Sequence, residues 1–276
     1  MADTTTASKT AVREALIQFL VNASGAMKEA YWSIACNILN PIERNREFKD
    51  VNDTIQGTNI FSFSLCFEFI ISFRQVERFR KREGGKDLHA TGIRATIINK
   101  ILIGSVVYDL TIRHCCKRHD LTLAQQSRTV MVFLLVENAM YYVTHYLMHT
   151  RWFYWMHRFH HKFNTIVLPS SASAVSTAEF SIAYMFPFYM AAWVGSCDKA
   201  SALVASSLVA LFNLIIHTPA LDEKLTSIYP WMLVSPGDHL ARHRQLNCKY
   251  SAPIFHFDRI LLSLKKSLNH ASIENS

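Results

Sequence analysis

Glycine is scarce in this chain, 8 of 276 residues. Few glycines beside long apolar runs argue for helices over a sandwich or barrel built on many tight turns. There is no glycine-rich dinucleotide fingerprint and no haem-binding His-Pro-Gly-Gly segment, so any electrons must come from separate proteins. The six cysteines (Cys36, Cys66, Cys115, Cys116, Cys197, Cys248) include no C-x-x-C pair. That excludes a zinc ribbon and gives no sign of a disulfide framework. The opening MADTTTASKTAVREAL lacks the charged-then-apolar order of a cleavable signal, so membrane entry would use an internal segment.

What is present is apolar and basic. Half the residues are hydrophobic and the net charge is +8 with histidine neutral. The charges alternate with membrane-length apolar segments, which points to anionic lipid headgroups and not to nucleic acid. The sequence predicts an all-α integral membrane bundle of about four transmembrane helices, with a cytosolic helical cap. Residues 129–145, 179–194 and 202–216 read as spans, Pro187 kinking the second. Residues 92–112 are apolar but carry Arg94, Lys100 and Asp109. Asn59 to Phe73 is a span or an interfacial helix. Ala11 to Leu20 reads as a short amphipathic helix and residues 42–57 as a surface connection, with glycosylation sequons at Asn22 and Asn52. The basic run 74–86 reads as a cytoplasmic loop. It and the run 113–119 suit headgroup contact, or docking of an acidic electron donor. We expect residues 1–120 to form an N-terminal region with one or two membrane-associated helices, and 121–276 a histidine-box domain.

Five histidines fall between positions 145 and 161: His145, His149, His157, His160 and His161. His145 and His149 are spaced i, i+4, and His157, His160 and His161 i, i+3, i+4, so on helices each set shares one face. Two such faces turned together would offer five imidazoles to one small volume, and metal is the natural reason. If the 129–145 helix exits on one membrane face, the hairpin of 179–194 and 202–216 returns to that face and delivers His217. His239 and His243 follow in a basic tail, which makes that side cytoplasmic. Eight imidazoles exceed what one ion takes, and suggest two metal ions side by side. His89, His114, His119 and His270 read as surface, and His256 as structural. Trp152 to Trp155 suit a substrate channel or an interfacial aromatic belt.

H-x-x-x-H at 145–149, H-x-x-H-H at 157–161, a lone histidine at 217 and a box near 240 resemble the fatty acid hydroxylase and sterol desaturase superfamily of membrane di-iron enzymes. The segments LPSSASAVSTAEF and NCKYSAPIFHFDRI are similar to that family's connection and end motif, the latter most like its sterol hydroxylase branch. The resemblance covers roughly residues 125–265. It implies two irons per chain held by His145, His149, His157, His160, His161, His217, His239 and His243, with no catalytic residue distinct from these ligands. It further implies dioxygen as oxidant, electrons from cytochrome b5 and its NAD(P)H reductase, and a membrane lipid or sterol-like substrate. The location would be the endoplasmic reticulum, with the boxes facing the cytosol.

Two positions depart from the family's pattern. Arg242 stands where the last box has a histidine, and a guanidinium cannot ligate. It is expected to swing away toward Asp238 or Asp258, leaving a site for water that Asn213, one turn before His217, could hold. Ser176 stands where many members have a histidine. The leading expectation is therefore an oxygen-dependent lipid hydroxylase. The alternatives are a related oxidase or desaturase, a Lewis-acid enzyme on a lipid-like natural product, and a non-catalytic degenerate member.

Overall fold

The computed structural model describes residues 72–274, apart from 119–120, 164–165, 223–228, 246–249 and 252. The expectations for 11–20, 42–57, most of 59–73, the two sequons, His119, Cys36, Cys66 and Cys248 lie outside these. The described residues are helical, with no strand among them, only an isolated antiparallel bridge between Leu233 and Phe255.

Helix α1, Phe73–Lys81, occupies the basic run expected as a loop. Arg, Lys and Glu are good helix formers, and the i, i+4 pair Glu77–Lys81 closes at 2.6 Å. Its apolar residue Phe79 is buried and stacks on Phe163 with ring centroids 5.4 Å apart. Gly84, at φ +65°, makes the turn that a side chain would strain.

Among the described residues three helices are long and apolar enough to cross a membrane: α2, Gly85–Cys115; α3, Leu123–Met148; and α6, Lys199–Ile216. Two of the charges in α2 are accommodated locally. Arg94 is exposed, and Asp109 pairs with Arg113 at 2.6 Å. A capping box of Thr122 with Gln125 starts α3, and the Asp198 side chain caps α6 by accepting from Ser201 N. Between them α5 runs through Thr177–Glu179, the π-helical Phe180–Met185 and Phe186–Gly195. It contains the expected span 179–194 but is not among the three. A π turn lies just before Pro187 and lets the chain re-register where proline supplies no N–H. A second π segment, Ile98–Gly104, interrupts α2 and packs against the first.

Helix α3 is the centre of the bundle, packed against α5 and α6. Phe133 meets Phe188 edge-on at 5.4 Å, and Ala191, Ala192, Ala202 and Ala205 let the helix backbones approach. Buried Cys115, Cys116 and Cys197 belong to this core as free thiols. Burial pushes Cys116 and Cys197 up to about 12, so they stay protonated and inert. Outward-facing Leu102, Val106, Met131, Val143 and Val204 are exposed, as a lipid-facing surface requires.

Beyond α3 lie the short α4, Tyr154–His157, and the 3-10 turns His160–Phe163 and Pro169–Ser173. After α6 come α7, Pro236–Arg244, and α8, Phe257–Glu274. Asn138, midway along α3, fastens the tail to the bundle: its side-chain oxygen accepts from Ile254 N at 2.9 Å.

Candidate metal centre

The histidines arrive from five places. His145 is in the last turn of α3 and His149 is its C-cap, so the first pair shares a face as the spacing requires. The second box is not one helix. His157 ends α4, while His160 and His161 open a 3-10 turn. This break sends its members to different partners. His217 is the C-cap of α6, and His239 and His243 are one turn apart on α7. Seven of the eight histidines are buried, His149 only partly.

Two groups of mutually close donors result: His145, His149 and His157; and His160, His217, His239 and His243. His161 falls in neither, though its Nε2 lies 2.9 Å from His157 Nε2. The groups adjoin, with the His160 and His157 rings 5.4 Å apart. Asn213 does not face His217 with its side chain. Its amide donates to the Ala172 carbonyl at 3.1 Å, and its backbone oxygen accepts from His217 Nδ1 at 2.7 Å.

Hydrogen bonding on the far nitrogens fixes which ring atom is left for a ligand. His145 Nδ1 is 2.8 Å from the Tyr250 carbonyl oxygen and His157 Nδ1 is 2.6 Å from Glu179 Oε1. An acceptor at each Nδ1 holds the proton there, so each Nε2 presents a lone pair. Those two Nε2 atoms lie 3.1 Å apart, and His149 Nε2 is 3.3 Å from that of His145. Facing lone pairs repel unless a cation stands between them. With metal–imidazole bonds of about 2.1 Å, donors at right angles around one ion sit about 3 Å apart. The observed spacings match, so the first group fits a metal ion.

The second group differs because of Arg242. The guanidinium does not swing away. It is buried at 1% exposure, donates to the Ser251 carbonyl at 3.0 Å and donates to His239 Nδ1. Its expected carboxylate partners are engaged elsewhere: Arg259 holds Asp238 at 3.1 Å, and the Ser251 and Tyr142 side chains contact Asp258. A guanidinium can only donate, so neutral His239 keeps its proton on Nε2. That atom lies 2.9 Å from His217 Nε2, which is bare because His217 Nδ1 donates to Asn213. A chain of donors thus runs from Arg242 through His239 and His217 to a carbonyl. His217 offers a lone pair at once, and His239 only after its proton leaves.

Burial holds the rings in the neutral form that ligation needs. It keeps His160, His239 and His243 well below the ordinary histidine range, aided by neighbouring imidazoles and, for His239 and His243, by Arg242. Burial likewise lowers His217 to about 3 and His161 to about 2.

Residues 130–263 match the family model for fatty acid hydroxylase. The matched segment contains all eight candidate histidines and suggests a membrane hydroxylase or desaturase type. Neither the curated proteins nor the solved structures compared with this chain gave a match.

Several residues of the matched segment lie beyond the reach of sequence spacing. Glu179, buried at 1% exposure, orients His157. Its only sequence signal is a carboxylate at the start of an apolar stretch. Ser176 caps α5 by accepting from Glu179 N and donates to the Met156 carbonyl, tying α5 to the second box. His114 is exposed as expected, but His89 is buried, edge-on to Phe79. His256 is buried between Asp238 and Asp258, outside both groups. Trp152, Phe153 and Trp155 are exposed, which suits an interfacial belt.

Proposed function

We propose that this protein is a membrane di-iron oxygenase that hydroxylates a lipid or sterol-like substrate. The observation that carries the proposal is the pair of adjoining imidazole groups, the first with lone pairs converging at metal-ligand spacing. His145, His149 and His157 would hold one ion, and His160, His217, His239 and His243 the other, with His161 beside both. Bound iron with dioxygen supplies the oxidation of an unactivated C–H bond, which side-chain acid–base chemistry cannot reach. The chain's own part is positional. Glu179, Tyr250 and Asn213 hold protons on the far nitrogens of His157, His145 and His217. The buried surroundings exclude bulk water.

Electrons would come from cytochrome b5 and its NAD(P)H reductase, with the centre on the cytosolic side of the endoplasmic reticulum. The membrane-length helices and the basic segments around them support that placement. Hydroxylation is favoured over desaturation by the end motif, similar to the sterol hydroxylase branch. The test is metal analysis of purified protein with lipid profiling. About two irons per chain and an oxygenated lipid product support the reading. Full metal and activity in His160→Ala refute the site.

A second reading is favoured by the Arg242–His239–His217 chain. If His239 keeps its proton, the first group alone is loaded, and the protein is a one-metal Lewis-acid enzyme or a non-catalytic partner. One ion per chain in the wild type, rising to two in Arg242→His, supports this reading.

A further inference from the structure

Helix α8, Phe257–Glu274, is amphipathic. Leu261, Leu264 and Leu268 recur at i, i+3 and i+7, so they form a stripe along one face. They are between 48% and 71% exposed. Lys265 flanks the stripe and Lys266 lies opposite it. Both lysines are exposed, and among the described residues neither has an ion pair. Leucines on one face of a helix and lysines around the other are the pattern of a helix that lies in a membrane surface. The start of α8 is fixed at the depth such a helix needs. Phe257 packs on Tyr142 of α3 with ring centroids 5.8 Å apart, and the Tyr142 hydroxyl donates to Asp258 at 3.4 Å. Tyr142 is about 9 Å along the axis from the end of α3 at Met148. A hydrocarbon core of about 30 Å centred on α3, itself about 39 Å long, has its edge about 5 Å from that end. Tyr142 is then about 5 Å inside the edge, and interfacial helices sink about 5–10 Å. The surroundings agree. Val143 faces outward on α3, and Trp231, whose carbonyl accepts from Arg259 Nη1 at 3.4 Å, is exposed beside the start of α8. Tryptophan concentrates at the boundary between lipid and water.

We propose that α8 lies in the membrane surface, its leucine stripe in the acyl layer and Lys265 and Lys266 among the headgroups of anionic phospholipids. Burial of the leucines supplies the apolar part of the binding, and each lysine near an anionic surface adds to it. Lys265, at the edge of the stripe, can lay its stem on the acyl layer and keep its ammonium among the phosphates. A second copy of this chain fits the stripe less well, because pairing two such helices sets lysines of both along one seam. The proposal rests on α3 crossing the membrane.

The test is photo-crosslinking of the full chain in nanodiscs of phosphatidylcholine with a minor share of phosphatidylserine, the adducts being identified by mass spectrometry. The crosslinker p-benzoylphenylalanine is placed at Leu264, at Leu268, at Ser263 off the stripe, or at Met131 on the outer face of α3. Lipid adducts are expected at Leu264 and Leu268, several-fold above Ser263. Phosphatidylserine should exceed its share of the bilayer about fivefold in those adducts, and fall to that share when Lys265→Gln and Lys266→Gln are combined. Adducts to a second copy of the chain, equal yields at Ser263, or no excess of phosphatidylserine overturns the proposal. Met131 separates the two readings. Lipid adducts there with none at Leu264 and Leu268 refute the surface helix alone, and none at all three positions refutes the membrane span with it.

Discussion

Replacing Glu179 tests how the first group of histidines is held. The carboxylate is buried and bonds His157 Nδ1 at 2.6 Å, a charge-assisted bond in a low-dielectric place. Its removal should act on metal affinity and leave the helix alone, because Ser176 caps α5 through the backbone N–H of residue 179. Partners of this kind typically change metal affinity 10–100-fold, or about 1.4–2.8 kcal/mol. Glu179→Gln keeps an acceptor and should fall near the lower end. Glu179→Ala leaves His157 Nδ1 without a partner and should fall near the upper end. The assay is competition with a chelator of known affinity, metal being read by mass spectrometry and helicity by circular dichroism. Unchanged affinity in Glu179→Ala, with helicity intact, would refute the reasoning that this carboxylate positions His157.

Three further outcomes are expected. Phe133→Ala removes a fully buried ring packed on Phe188 and should cost about 3–5 kcal/mol, read as a lowered thermal midpoint in nanodiscs with metal groups intact. Asn138→Ala strips the acceptor from the buried Ile254 N–H and should cost about 1–3 kcal/mol; hydrogen exchange at Ile254 should speed up, whereas unchanged protection would show that the tail is held elsewhere. In metal-free protein, stability should fall as pH drops below about 6.5. There the unfolded chain protonates His217 while the folded one resists until about 3, so the unfolded state binds more protons. A thermal midpoint flat from pH 7.5 to 4.5 would contradict this.

Spacing made the donors legible and left their grouping hidden. The i, i+4 pair at His145 and His149 shares one face because α3 runs to Met148. The second box could not be read the same way. Its chain leaves the α-helix after His157, and tertiary packing of Phe163 on Phe79 holds the 3-10 turn that follows. That change of pitch sends His157 to one group and His160 to the other.

Charge misled at two places. The run 74–86 has the composition of a loop, yet its helix formers and the buried Phe79 make α1. Arg242 was expected to find a carboxylate, since a guanidinium among metal ligands is repelled. Neutral rings and a carbonyl hold it in place instead, while Arg259 occupies Asp238. Glu179 acts through a contact between separate segments, which no local pattern encodes. The spans at 129–145 and 202–216 were plain from hydropathy. The stretch 92–112 lies within the 31-residue α2, long and apolar enough to cross a membrane, and its Asp109 is paired one turn on with Arg113.

The most direct measurement is iron per chain in purified wild type, His149→Ala and His160→Ala after anaerobic loading. The account predicts about two ions in the wild type and about one in each variant, each substitution emptying a different group. A wild type that takes up no iron, or variants that both keep the full complement, would contradict it.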